Sequence, residues 1–303
     1  MKKMTRVAQR GNWRKESIVP YLYILPSLVV VISVLILPIL YGSYLSFFDP
    51  ILGIKGMKFI GLLNYKKFVT SPEFLNSLKH SLQWAGGAIL GGSIMSLMAA
   101  MLMNERYRGR NFLRGVILIP WVISAVTVGL VWGWIFSGSY GLLNNILWRL
   151  GMVKNIDDIL WLSNPKLVLL ICTAIAVWRG FPFGAIVWLA TLESIPDQLY
   201  EAAQIDGANR FNRFRYVTWP ELKPAFVLVN IVGGAAVFNS FDLIWVLTKG
   251  GPLRYSEILA THLYKVAFWD FRIGAAAAIS VIMFLITLIF AVVFLYLTHR
   301  KEA

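Results

Sequence analysis

The chain reads as an all-α membrane protein: six transmembrane helices, with one structured loop between the fourth and the fifth. Three features require this. Of its 303 residues 58% are apolar and only 15% charged, with a mean hydropathy of +0.66, whereas soluble domains carry about 25% charged residues. A soluble chain of this length buries about three quarters of its unfolded surface and still needs a polar exterior, so lipid must solvate much of this one. Six stretches are each long and apolar enough to cross a bilayer, which takes about 20 residues. Charged residues, finally, collect between those stretches rather than within them.

The first stretch, Tyr21–Phe47, contains Pro26 and Pro38. These should kink the helix rather than end it, because a bundle can re-satisfy the carbonyls that proline frees. Leu78–Met103, Phe112–Phe136, Leu167–Leu192, Ala225–Leu247 and Gly274–Thr298 follow. Backbone groups without water leave helix as the expected state for all six.

Basic residues set the expected orientation. Lys2, Lys3, Arg6, Arg10, Arg14 and Lys15 crowd the N-terminal tail, and Arg106, Arg108, Arg110 and Arg114 the next connection on that side. Sixteen basic residues fall on the side of the termini against twelve on the other, over shorter segments. Residues 1–19 are therefore expected to form a basic cytoplasmic tail, 20–299 the transmembrane domain and 300–303 a second cytoplasmic tail. The N-terminus is not read as a cleavable signal, since its apolar segment is too long and no small-residue cleavage site follows. Trp132, Trp134, Trp161 and Trp269 fall near the far ends of spans, where an interfacial belt belongs.

The net charge of +14 would suggest nucleic acid in a soluble protein. Here it is assigned to span ends facing anionic headgroups, because no basic stripe is interleaved with stacking aromatics. Cys172 is the sole cysteine, so no disulfide within the chain and no thiolate metal site is expected. His80, His262 and His299 are scattered, and no nucleophile or carboxylate constellation argues for catalysis.

Between the fourth and fifth spans runs SIPDQLYEAAQIDGANRFNRFRYVTWPELKPA, from Ser194. Ser194 and Asp197 have capping-box spacing, with Pro196 placed for a first turn. A short helix to Ala203, an interruption at Gly207 and a second piece with Phe211, Phe214 and Val217 at threefold spacing predict a helix–glycine–helix elbow. Pro220 and Pro224 should stop the second piece before the fifth span. From physics alone the elbow is either an amphipathic segment on the membrane surface or a docking site.

Glu201-Ala202-Ala203, Asp206-Gly207-Ala208, Phe214, Pro220 and Pro224 together resemble the EAA loop of bacterial ABC importer permeases. Trp219 stands where that pattern has an aliphatic residue. Phe241-Asp242-Leu243-Ile244, Thr248-Lys249-Gly250-Gly251-Pro252 and Gly274-Ala275-Ala276 extend the likeness to the maltose-type sugar permeases. The resemblance implies a type I ABC importer permease fold, with 194–224 as a cytoplasmic coupling-helix loop seated in a nucleotide-binding subunit. It implies a second homologous permease, two copies of a cytoplasmic ATPase and an extracytoplasmic solute-binding protein as partners, in a bacterial cytoplasmic membrane. No Gly-x-x-x-x-Gly-Lys-Ser/Thr loop occurs in the chain, so ATP and Mg are expected on the partner ATPase and no cofactor on this chain. By the same resemblance, Trp121, Ala125, Ala176, Arg179, Gly180, Gly233, Ala236 and Val237 fall at substrate-lining positions.

Arg179 lies near the middle of the fourth span in Trp178-Arg179-Gly180-Phe181-Pro182, and an intramembrane charge is costly enough to be a functional candidate. Two roles are open for it. It snorkels or pairs between helices, with Asp242 or an acid of a partner, or it meets an anionic sugar such as a uronate oligosaccharide or a phosphorylated polyol. Trp121 similarly stacks on a sugar ring or packs in the bundle. An ion-coupled secondary transporter is the rival reading, opposed by the near absence of acids within the spans.

Overall fold

The computed structural model describes residues 19–49, 56–105 and 107–299. The 300–303 tail, nearly all of the basic tail at 1–19, and Arg106 lie outside the described residues. The first span comprises α1 (Val19–Val30) and α2 (Leu37–Leu45), joined by a π-helical turn at Val31–Ile36. Pro26 lies inside α1, while Pro38 follows the wider turn, whose register accommodates a missing N–H. Neither proline ends the helix.

After α3 (Leu63–Thr70) the second span, α4 (Pro72–Asn104), starts earlier than Leu78. Ser71 Oγ accepts the Phe74 N–H at 3.3 Å and Pro72 opens the first turn, a start signal of the usual kind. Its 33 residues make a rod of about 50 Å, longer than the hydrocarbon core.

The third span departs from expectation. It is α5 (Arg110–Val122) and α6 (Ala125–Ile135), set at 94° to one another. Pro120 weakens the last turn of α5. Ile123 is extended, and Ser124 Oγ accepts the Thr127 N–H at 3.2 Å to begin a new helix. Among the described residues five helices are long and apolar enough to cross a membrane, or six if this bent pair is one span.

The short α7 (Leu142–Arg149) precedes the fourth span, α8 (Val168–Ser194), and the elbow helices α9 (Asp197–Ile205) and α10 (Arg210–Arg213) follow. A second π turn, Phe214–Thr218, joins α10 to α11 (Trp219–Phe238). Pro220 and Pro224 therefore do not separate the loop from the fifth span, because one apolar helical stretch runs over Arg210–Phe238. Pro220 sits in the first turn of α11, just beyond the π turn, where a missing donor costs little. The fifth span breaks again beyond Phe238, and α12 (Asp242–Thr248), α13 (Leu259–Phe268) and α14 (Ile273–His299) complete the chain.

At the centre α4 lies against α8. A Cβ on Gly87 would meet Thr173 at 2.9 Å, and one on Gly91 would meet Val177 at 2.9 Å. Glycines let backbones approach in a solvent that offers no hydrophobic drive of its own. Two apolar clusters result. One gathers Trp84, Cys172, Ile175, Ile244, Ile258 and Ile279, and the other gathers Met103, Trp188, Leu192, Ile195 and Leu222 near the elbow.

The connection between the fifth and sixth spans is clamped by Glu257, which is fully buried. Its Oε1 lies 3.0 Å from His262 Nδ1 and accepts from Ser77 Oγ at 3.4 Å, while Lys265 Nζ donates to Oε2. Leu259 N–H donates to Ser81 Oγ at 2.7 Å, tying the same connection to α4. Burial pushes the carboxyl up, but the bonds and charges of His262 and Lys265 outweigh it and hold Glu257 at about 2, below its ordinary 4.5. A depressed carboxyl contributes stability that is complete above its ordinary value and lost as pH falls from there towards about 2. Glu257→Ala leaves Lys265, only 16% exposed, without its counter-charge and should cost on the order of 3 kcal/mol, read as a lowered thermal midpoint in detergent. An unchanged midpoint would show that the clamp carries no stability.

Candidate functional site

The elbow leaves α8 through Ile195 and Pro196, both extended. Ser194 does not cap α9 as its spacing suggested. Its Oγ donates back to the Thr191 carbonyl at 2.7 Å, because α8 continues through it and Pro196 takes the N-cap position. On α9 and the turn beyond, Glu201, Ala202, Asp206 and Gly207 are exposed, with Ala203 and Ala208 half-buried. Gly207 has φ +74°, the left-handed conformation that closes helices. The closing bonds are Gly207 N–H to Gln204 O at 3.0 Å and Ala208 N–H to Ala203 O at 2.9 Å. Asn209 Oδ1 accepts the Asn212 N–H at 2.8 Å and starts the second limb.

The residues at threefold spacing on the second limb, Phe211, Phe214 and Val217, are not equally exposed. Phe211 is open, but Phe214 and Val217 turn inwards, because the π turn rotates them towards the bundle. Phe214 packs on Trp219 at 6.3 Å, and Trp219 stacks on the buried Trp188 at 6.4 Å. Tyr200 OH and Thr218 Oγ1, 3.0 Å apart, bind the two limbs together. Pro220 is exposed beside them. The elbow is thus rooted in the apolar cluster between α4, α8 and α11, with its acidic and small residues outward.

Beside this root, Arg114 Nη2 donates to Glu193 Oε1 at 2.6 Å and to the Met103 carbonyl at 3.1 Å, tying the ends of α4, α5 and α8. The ion pair is partly exposed, so its own contribution should be about 1 kcal/mol or less. Arg114→Ala should destabilise more than Glu193→Ala, because only it strands the Met103 carbonyl. Thermal unfolding of the two single variants checks this; equal losses would reduce the tie to the ion pair alone.

A cavity of about 300 Å³ lies higher in the bundle, between α5, α8, α11 and α12. Seven of the eight residues anticipated for a substrate path line it: Trp121, Ala176, Arg179, Gly180, Gly233, Ala236 and Val237. Ala125 does not, because it opens α6 beyond the break. Trp84, Phe183, Val232, Ser240 and Leu243 complete the wall without having been anticipated. Ser240 had a signal in the polar Asn239-Ser240 pair, which interrupts the fifth span. A Cβ on Gly180 or Gly233 would meet nothing within 4 Å, so these glycines leave open space. Trp121 stands against Phe183 at 5.9 Å.

Among the described residues Arg179 is the only charged one on that wall. Its Nε donates to the Ile123 carbonyl at 3.3 Å, at the break between α5 and α6. Among the described residues it makes no ion pair with Asp242, which instead opens the first turn of α12. The break supplies a carbonyl without a helical partner, and the arginine supplies a donor to it. Among the described residues no group of three or more His, Cys, Asp or Glu gathers to hold a metal.

Long apolar helices around a cavity, with a helical elbow at one end, make a multi-span membrane protein. Residues 88–302 match the family of binding-protein-dependent transport system inner membrane components, and the chain belongs to that family. It is 34% identical to a probable ABC transporter permease protein of Brucella suis biovar 1, across 93% of this chain and 97% of the relative. It is 35% identical to the trehalose/maltose transport system permease protein MalF of Thermococcus litoralis, across 93% and 94%. Among solved structures, a bacterial ABC transporter involved in import of the acidic polysaccharide alginate matches with a TM-score of 0.81 and 25% identity, over 95% of this chain and 98% of that one.

Proposed function

We propose that the chain is one permease half of an ATP-driven, binding-protein-dependent importer of oligosaccharides, and that its solute is acidic. It pairs with a second homologous permease, two copies of a cytoplasmic ATPase that holds ATP and Mg, and an extracytoplasmic solute-binding protein. It resides in a bacterial inner membrane, with both termini and the 194–224 loop in the cytoplasm. Residues 20–299 form its transmembrane domain, and the exposed Glu201, Ala202, Asp206 and Gly207 meet the motor, with Ala203, Ala208, Phe214 and Pro220 shaping that contact. Trp121, Ala176, Arg179, Gly180, Gly233, Ala236 and Val237 belong to the solute path.

The observation that carries the acidic solute is that Arg179, among the described residues, is the single cation on an otherwise uncharged, mostly apolar and glycine-lined cavity wall. The Nε–Ile123 bond holds the guanidinium in place, leaving its remaining N–H groups for a carboxylate. The alginate importer's solute is of that chemical class, and the sugar-transporting relative supports the broader reading. A phosphorylated polyol offers the same anionic contact. The test is ATP-driven uptake by the reconstituted complex, with a uronate oligosaccharide against its neutral counterpart in the presence of protonophore. Preference for the neutral sugar would remove the acidic reading. Loss of uptake on collapse of the proton gradient while ATP stays high would replace the ATP-driven importer with a secondary transporter.

A further inference from the structure

α7 offers a surface that neither the elbow nor the cavity uses. Leu142, Ile146 and Leu150 stand four residues apart along one side, exposed at 43%, 44% and 68%, and thus form a single apolar stripe. The opposite side is fixed. Asn144 is buried and donates to the Gly138 and Ile159 carbonyls at 2.9 Å each, while Trp161 Nε1 donates to Asn144 Oδ1 at 2.6 Å. Trp161 in turn packs edge-on against Phe136, 5.9 Å away, immediately beyond α6.

These contacts fold the connection down onto the end of the third span. Between Ile135 and Leu142 lie only residues 136–141, which span about 20 Å when fully extended. The Gly141 N–H to Ser137 O bond, 3.0 Å, closes part of that length into a turn. A helix held so near the end of the bent α5–α6 pair, with its stripe outward, has the form of the amphipathic helices that rest at the headgroups. Arg149 is the only charged residue on α7, and it is exposed. Helical geometry puts it beside the stripe, as attraction to anionic lipid requires.

We propose that α7 is an interfacial anchor. It lies on the bilayer surface at the face opposite the elbow, with Leu142, Ile146 and Leu150 at the acyl boundary and Arg149 among lipid phosphates. The assignment is independent of the solute and of the motor. It fixes the tilt of the broken third span relative to the membrane, because α7 is bonded to that span's end.

The test uses the full complex in vesicles of phosphatidylcholine and phosphatidylglycerol. The chain's one cysteine, Cys172, is replaced by alanine, and nitroxide labels are placed through Ile146→Cys, Leu150→Cys or Asn155→Cys. The 146 and 150 labels should favour collision with oxygen over a nickel chelate by about threefold or more relative to 155. Leu150 lies beyond the last helical turn and is largely exposed, so that label removes little packing. Arg149→Glu should lower the oxygen preference in anionic vesicles and leave it unchanged in purely zwitterionic ones. Chelate access at 146 and 150 equal to that at 155 would overturn the proposal. So would protection that arises only when the solute-binding protein is added, which would make the stripe a protein-docking face.

Discussion

Gly207→Asp is expected to abolish ATP-coupled uptake, a loss of at least about 100-fold, while the spans still insert and the protein still purifies. The cause is separable from backbone strain. Gly207 has φ +74°, and among the described residues nothing lies within 4 Å of a Cβ built there, so the added group enters open space. Asp and Asn are among the residues that tolerate this conformation, and the strain of left-handed backbone is about 1–2 kcal/mol. Loss of coupling in Gly207→Asp with an intact elbow therefore reports an outside surface that the new charge obstructs. Gly207→Asn should retain more transport, and Gly207→Val should fail by deforming the turn itself. The measurement is uptake alongside ATPase activity in proteoliposomes. Normal transport by the aspartate variant would remove the motor from this loop.

Arg179→Gln should cost acidic-solute uptake about 10-fold to 100-fold, in line with one charge-assisted contact of roughly 1.5–3 kcal/mol. Its amide can still reach towards the Ile123 carbonyl, so the break between α5 and α6 survives and substrate-free ATP hydrolysis continues. Arg179→Ala removes both bonds and should also lower the thermal midpoint. Arg179→Lys keeps the charge without the planar fork and should fall between the two. The deciding comparison is the KM of the glutamine variant for acidic and neutral solutes. Equal change for both would make Arg179 a brace for the helix break rather than a contact for the solute.

The all-helical bundle, the elbow and its glycine turn were legible because each has a local cause. Apolar length dictates a span, and Gly207 marks a turn before Asn209 restarts the helix. The break in the third span was not legible, because Pro120 alone is compatible with a kink. Only the extended Ile123 and the capping Ser124 separate the two pieces. Ser194 misled in the opposite sense, since its spacing suits a cap but the fourth span continues through it. The Glu257 clamp was hidden for a third reason. Ser77 stands 180 positions from Glu257 along the chain, and no periodic signal links partners brought together only by tertiary packing. The cavity is intermediate: Arg179 announced itself by its charge, whereas its bond to a freed carbonyl depends on a break the sequence does not mark.

The uninterrupted helical stretch from Arg210 to Phe238 has a mechanical consequence. Its 29 residues make a lever arm of about 43 Å, with Phe211 near one end and Gly233, Ala236 and Val237 near the other. A tilt of about 10° about one end would sweep the other through roughly 7 Å, about the width of a sugar ring, without opening a hinge between them. Force applied at the elbow would therefore reach the cavity wall along one helical stretch, with the stiffness of its π turn at Phe214–Thr218 setting the stroke.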